Sequence, residues 1–331
     1  VGAVAMGPFL LRRLAALIPT FFGITLISFA VLHLAPGQPV GTMTDLNVKV
    51  SMEARQRRIA EFHLDQPLHK QYGLWLKKTL IGDFGDSWND GRPVLEKIGE
   101  AIPITVGINL LALAGILGLG IPIGLFGAAR ENSGWDHLLT GGVLIGFALP
   151  TFWIALLALD FFGVRLGWVP VSGLNSLEAD RFGFLAFWGD RLHHLLLPVG
   201  VTIFGGLAGI SRYVRSQAAQ TLRQDYIRTA RAKGLPESRV LFRHAFRNAL
   251  LPLITILGLS IPGLIGGSVI LETIFAIPGM GRLFFDAVFM RDQPVVMGIL
   301  ILGAILTLLG NLLADIAYAA ADPRIRYGGG S

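Results

Sequence analysis

The chain has 331 residues, 53% of them hydrophobic and only 15% charged, and its mean hydropathy of +0.60 departs from that of a soluble domain, so it reads as a chain that lives in lipid. Its formal charge of +6 is concentrated: from Arg212 to Arg247 nine basic residues stand against Asp225 and Glu237, a pattern that marks a cytoplasmic loop between apolar runs and argues against nucleic-acid binding. Cysteine is absent, which removes disulfides, Cys-ligated zinc and thiol catalysis.

A bilayer-spanning helix needs about 20 mainly apolar residues. Six segments qualify, at 10–34, 103–129, 137–162, 194–217, 249–275 and 295–320, and because backbone groups in lipid must pair internally they are expected to be helices. The first follows Arg12 and Arg13, is too long for a signal peptide and precedes no small-x-small cleavage site. Those two arginines, the basic block after the fourth span and Arg324 with Arg326 after the sixth all fall on one side, which places both termini in the cytoplasm.

Residues 1–35 thus form the cytoplasmic N-terminus and first span, 36–102 an extracytoplasmic subdomain, 103–320 a membrane core of five helices and 321–331 a cytoplasmic tail. In the outer segment Ile59, Phe62, Tyr72, Trp75 and Leu76 keep a helical spacing broken at Gln66-Pro67, and "GDFGDSW" reads as a turn. Packing on the outer ends of the spans is preferred for these helices over lying on the membrane surface.

Within the spans Pro19, Pro122, Pro150 and Pro262 interrupt apolar runs, and glycines pair at i and i+4: Gly120/Gly124, Gly142/Gly146, Gly205/Gly209 and Gly263/Gly267. Such small residues let helix backbones approach closely, and prolines are tolerated where neighbours satisfy the freed carbonyls, so a packed, bendable bundle is expected.

Chemistry of other kinds is missing. No Lys follows a Gly, so no phosphate-cradling G-x-x-x-x-G-K-[ST] loop exists. The adjacent His193 and His194 point to different faces of a helix and are not expected to share a metal. Polar residues in a membrane are functional candidates by default: Asn109, Asp160, Glu272, Asn311 and Asp315 lie in or near the spans, and Asn109, Pro150, Glu272 and Asn311 are the candidate lining of a translocation path.

The basic block, "DYIRTARAKGLPESRVLFRHAFRNALLP" at 225–252, predicts a short helix from Asp225 to Lys233, a left-handed stop at Gly234, a break at Pro236 and a new helix over 237–248. Tyr226, Ile227 and Ala230 share one face, Arg228 and Arg231 the neighbouring one, and small Ala230, Ala232 and Gly234 would admit close approach by another protein.

This segment resembles the EAA loop (221–248) of ABC importer permeases in the version of the dipeptide, oligopeptide and nickel permease family. The likeness extends to "RRLAALIPTFFGITLISFAVLHLAPGQP", "GDFGDSW", "ETIFAIPGMGRL", "RDQPVV" and "DPRIR". Arg228-Thr229-Ala230 stands where the general pattern begins with an acidic residue, and Gln38 replaces a common acidic residue; the long outer segment favours the B-type subunit.

The resemblance implies an all-α polytopic fold of the type I ABC importer permease, with six transmembrane helices and a helical insertion after the first span. It implies a bacterial or archaeal cytoplasmic membrane, a second homologous permease subunit, two cytoplasmic ABC ATPases and an extracytoplasmic solute-binding protein, with peptides as cargo. No cofactor is implied on this chain; ATP and Mg belong to the ATPases, so it is not itself an enzyme. Asp225, Tyr226, Arg228, Thr229, Ala230, Arg231, Lys233 and Gly234 are then the ATPase-coupling residues. The rival readings are a nickel or other small-solute ABC permease, an ion-coupled secondary transporter, which needs buried titratable groups and no ATPase, and a membrane scaffold.

Overall fold

The structure, a computed structural model, describes residues 3–34 and 65–321. Expectations for Gln38, Ile59, Phe62, the rest of 36–64 and the "DPRIR" tail lie outside the described residues. In chain order the helices are α1 (Ala3–Leu34), α2 (Leu68–Leu80), α3 (Val94–Ala129), α4 (Gly134–Ala148), α5 (Thr151–Ala158), α6 (Phe184–Leu222), α7 (Asp225–Ala232), α8 (Phe246–Gly266), α9 (Val269–Ile274), α10 (Met280–Phe289) and α11 (Gln293–Ala321). Two π-helical stretches, Leu159–Arg165 after α5 and Val240–Ala245 before α8, extend their neighbours, and among the described residues no strand forms beyond one isolated bridge between Asp86 and Pro93.

Among the described residues five helical segments are long and apolar enough to cross a membrane, six if the bent pair α4 and α5 counts as one crossing. The third span therefore departs from a simple rod. Pro150 has no backbone N–H and forces Leu149 into an extended conformation (ψ 136°), so α4 ends, α5 restarts, and the two meet at 94°. The fifth expected span is likewise divided: Gly267 (φ +67°) ends α8, and Ser268 caps the short α9 by accepting from the Leu271 N–H.

The chain divides into two compact units, one drawn from Val1–Ile102 and Leu283–Leu312, the other from Pro103–Arg282 and Leu313–Asp322. In the first, α2 packs on α1, as expected of a helix with one aromatic face. Phe29 meets Tyr72 edge-on at 5.4 Å and Trp75 at 5.8 Å, and buried Thr25 shares a 2.9 Å hydrogen bond with the Tyr72 hydroxyl. The rest of α1 leaves Leu11, Ile18, Ile27 and Val31 exposed, the surface a helix presents to lipid.

Two apolar cores of the second unit lie among the described residues. One joins Ile108, Ala155, Leu195, Val201, Leu271, Phe275 and Ile277; the other joins Leu125, Ala128, Val214, Ala218, Ala219 and Ala245. Both draw on α3 and α6, early residues with early and late with late, so these helices run parallel. Two parallel crossings need a return between them, which the bent pair supplies. The seam is glycine-lined. A Cβ on Gly124 would stand 2.6 Å from the Ser211 carbonyl oxygen and 3.0 Å from the Arg215 nitrogen, and one on Gly120 3.1 Å from Ile210. The first i, i+4 pair thus has the close packing its spacing predicts, whereas Gly142, Gly209 and Gly263 face open space and Gly267 is a helix break.

Candidate functional site

The 225–248 segment folds as its punctuation dictates. Gly234, at φ +76°, takes the left-handed position; its N–H donates to Arg231 O at 2.9 Å, and the Leu235 N–H reaches Ala230 O at 3.3 Å, the two bonds of a Schellman stop. Pro236 then opens the next turn, Glu237–Arg239, and Arg231 grips Glu237 across the stop with Nη2–Oε1 2.6 Å and Nε–Oε2 3.2 Å. The chain continues through the π-helical stretch into α8 without an intervening loop.

α7 lies on that stretch, with Ile227 fully buried, Ala230 7% exposed, and Val240 and Ala245 buried beside them. Ala230 therefore packs inside its own chain and is closed to a partner, unlike Ala232 and Gly234, which are exposed. The outward set is Asp225, Tyr226, Arg228, Thr229, Arg231 and Lys233 together with Gly234, and the Tyr226 ring lies 6.4 Å from that of His244. Tyr226 separates from Ile227 and Ala230 because the 100° step per residue leaves it at the edge of the buried face.

The polar residues of the spans are held in a second construction. Thr105 and Asn109, one turn apart on α3, face the same way. Asn109 Nδ2 donates to Leu264 O at 2.7 Å, satisfying a carbonyl that α8 leaves free at its C-terminal end. Thr105 Oγ1 donates to Glu272 Oε1 at 2.9 Å and accepts from the Met280 N–H at 2.8 Å, and the Arg282 N–H donates to Glu272 Oε2 at 3.0 Å. Glu272 is 5% exposed, and "ETIFAIPGMGRL" closes around it: a Cβ on Gly279 would lie 2.5 Å from its carboxylate, and Arg282 Nη1 donates to the carbonyl of Ala276, itself at φ +52°. The carboxylate is thus engaged within its own chain. Pro150 is exposed at the α4–α5 bend, and Asn311 is exposed on α11, in the other unit.

Asp160 pairs with Arg165 at 2.7 Å on an exposed face. His193 and His194 do point apart, His193 Nε2 lying 2.8 Å from Trp168 O and His194 Nδ1 2.9 Å from Asp190 O.

Sequence reasoning missed several pairings over distance. Arg215 on α6 grips Asp136 on α4 through Nε–Oδ1 2.6 Å and Nη2–Oδ2 2.5 Å, beneath Gly127, while Asp136 also accepts from the Asn132 N–H; Arg223 pairs with Glu131 at 2.5 Å. The signal was an arginine inside an apolar run and an acid in the first turn after the Ser133 cap. In the first unit, buried Asp292 of "RDQPVV" accepts from Ser87 Oγ and, at 3.0 Å, from the Trp88 N–H of "GDFGDSW", and Lys97 Nζ reaches Ser87 Oγ at 3.2 Å and Asp90 at 2.7 Å. Two motifs 205 residues apart in the chain are one knot.

Residues 120–327 match the family model described as binding-protein-dependent transport system inner membrane component. Over 97% of its length the chain is 45% identical to the oligopeptide transport system permease protein AppB of Bacillus subtilis, all of which is covered. It is 38% identical over 96% of its length to the dipeptide transport system permease protein DppB of Escherichia coli K12, covering 98% of that protein. Among solved structures, an inward-facing form of the MetNI methionine ABC transporter aligns with a TM-score of 0.55 at 16% identity, over 69% of this chain and 97% of that one.

Proposed function

The chain belongs to the family of binding-protein-dependent transport system inner membrane components, and from that premise we propose that it is the B-type permease subunit of an ATP-binding-cassette importer for di- or oligopeptides. The observation that carries the cargo is likeness over nearly the whole length to proteins named for oligopeptide and dipeptide transport. As a membrane component it leaves ATP hydrolysis to partner subunits.

On this reading a second homologous permease, two cytoplasmic ATPases carrying ATP and Mg, and an external solute-binding protein complete the importer, with both termini of this chain in the cytoplasm. α7 docks on one ATPase. Its support is physical: a charged outer face stands on a buried base that continues directly into α8, so force on the helix reaches a span without passing through a slack loop. Pro150 lines the translocation path, and Asn109 and Glu272 shape its wall by fixing the end of α8 and the turn after α9. Residues 36–102 form the external subdomain that meets the binding protein.

Reconstitution of the four partners in liposomes tests this. Uptake of a labelled tripeptide requiring both internal ATP and external binding protein is expected; uptake of nickel alone, or peptide uptake driven by an ion gradient without ATP, would overturn it.

A further inference from the structure

α3 and α4 leave an open groove of about 460 Å3 lined by Pro122, Ile123, Phe126, Arg130, Trp135 and Leu139. α3 is long and apolar enough to cross a membrane and α4 is half of the bent pair that passes the same test, so on the membrane reading of these helices the groove opens at membrane height. Its floor runs from Pro122 to Arg130, about 12 Å at 1.5 Å per residue, and is apolar until its last residue.

That last residue is differently placed from its charged neighbours. Glu131 is taken by Arg223 and Asp136 by Arg215, whereas the Arg130 guanidinium lies over the Phe126 ring, 4.1 Å from its centroid, and pairs with no carboxylate among the described residues. On the opposite wall the Trp135 side chain is 60% exposed. Apolar floor, exposed indole and one rim cation match an amphiphile with a single negative charge. A soluble partner does not reach an apolar floor that lies below the headgroups.

We propose that this groove holds one anionic phospholipid, its acyl chain along Pro122, Ile123, Phe126 and Leu139 and its phosphate on Arg130. The site rests on the membrane reading of α3 and α4 and on no assumption about cargo. It ties the end of the unit that carries α7 to the charge of the surrounding leaflet, since the Glu131–Arg223 pair sets the ends of α3 and α6 side by side.

Native mass spectrometry of the complete importer, equilibrated with phosphatidylglycerol or phosphatidylcholine, tests it. Preferential retention of phosphatidylglycerol is expected, falling about fivefold in Arg130→Gln, the scale of one basic residue at an anionic surface, and recovering in Arg130→Lys. Arg181→Gln, an exposed cation elsewhere, should retain lipid normally, and Leu139→Trp, which fills the groove from the α4 side, should lower retention. Equal retention by wild type and Arg130→Gln, no preference for the anionic lipid, or capture of a protein subunit by a photo-crosslinker replacing Trp135 would each overturn the proposal. Retention of the partner subunits, read from the same spectra, separates a lost lipid site from a misassembled complex.

Discussion

Between Ser268 and Arg282 the acidic side chain turns inward and every partner it needs comes from its own chain: a hydroxyl from α3, backbone N–H groups, and glycines small enough to let them close. Between Asp225 and Glu237 the charges turn outward around an equally defined turn, and only Ile227 and Ala230 are used for packing. Both segments carry glycine, proline and charge. The difference teaches that such a segment is read by burial: the inward one holds the fold, and the outward one carries its charges on the surface.

The largest effect should come from Glu272→Ala. It strips Thr105 and the Arg282 N–H of their buried acceptor, at about 1–3 kcal/mol for each group left without one, and thermal unfolding of the purified complex should show a marked fall. Glu272→Gln, which keeps the shape and one acceptor oxygen, should lose less. An unchanged melting temperature in Glu272→Ala would remove the inward half of the comparison.

Gly234→Val comes next. Space beside Gly234 is open, so the cost is backbone strain at φ +76°, about 1–3 kcal/mol. The chain should insert at normal levels while ATPase copurification falls, and Gly234→Asn, which tolerates that conformation, should restore it. Normal copurification with the valine variant would detach the stop from docking.

The sharpest contrast lies within α7. Ala230→Glu drives a charge into the base of the helix and should lower stability as well as coupling, whereas Arg228→Glu, on the exposed face, should stay within about 0.5 kcal/mol of wild type yet abolish stimulation of ATP turnover by loaded binding protein. Equal stability of the two would mean that the base is not packed as described.

The smallest effect is expected at an ion pair of intermediate exposure, in the first unit. Partial burial would raise the Asp90 carboxyl, but hydrogen bonds from Lys97 and the Arg92 N–H outweigh it and hold it at about 2, below its ordinary 3.8. A depressed folded value stabilises above the unfolded one, so this contribution is complete above about pH 4 and is lost as pH falls toward 2. Partly exposed, the pair is worth at most about 1 kcal/mol. Hydrogen exchange of the 86–93 turn should show a slight acid loss of protection that Asp90→Asn abolishes.

Local features were the legible ones. The Gly234 stop, the break at Pro236, the aromatic face of α2 and the close approach at Gly120/Gly124 follow from residues within one or two turns of each other. What required the structure was pairing over distance: Thr105 with Glu272 and Ser87 with Asp292 are 167 and 205 residues apart, and no spacing encodes them. Ala230 illustrates a subtler limit. A small residue beside a turn suits a partner's approach and its own chain's packing equally, and only the position of the 240–245 stretch decides between them. At Pro150 the proline announced a bend, but its 94° was set by how α5 packs on α6 and α9.

The glycine seam has a use in measurement. With Gly124 against the backbone at Ser211 and Arg215, α3 and α6 have no slack through which to slide past one another. They form a single beam, and motion within this unit must be sought at Pro150 and Gly267. Spin labels on the outward faces of α3 and α6 would then keep a constant separation through every turnover, an internal ruler against which the displacement of α5 or α9 could be calibrated in the same molecule.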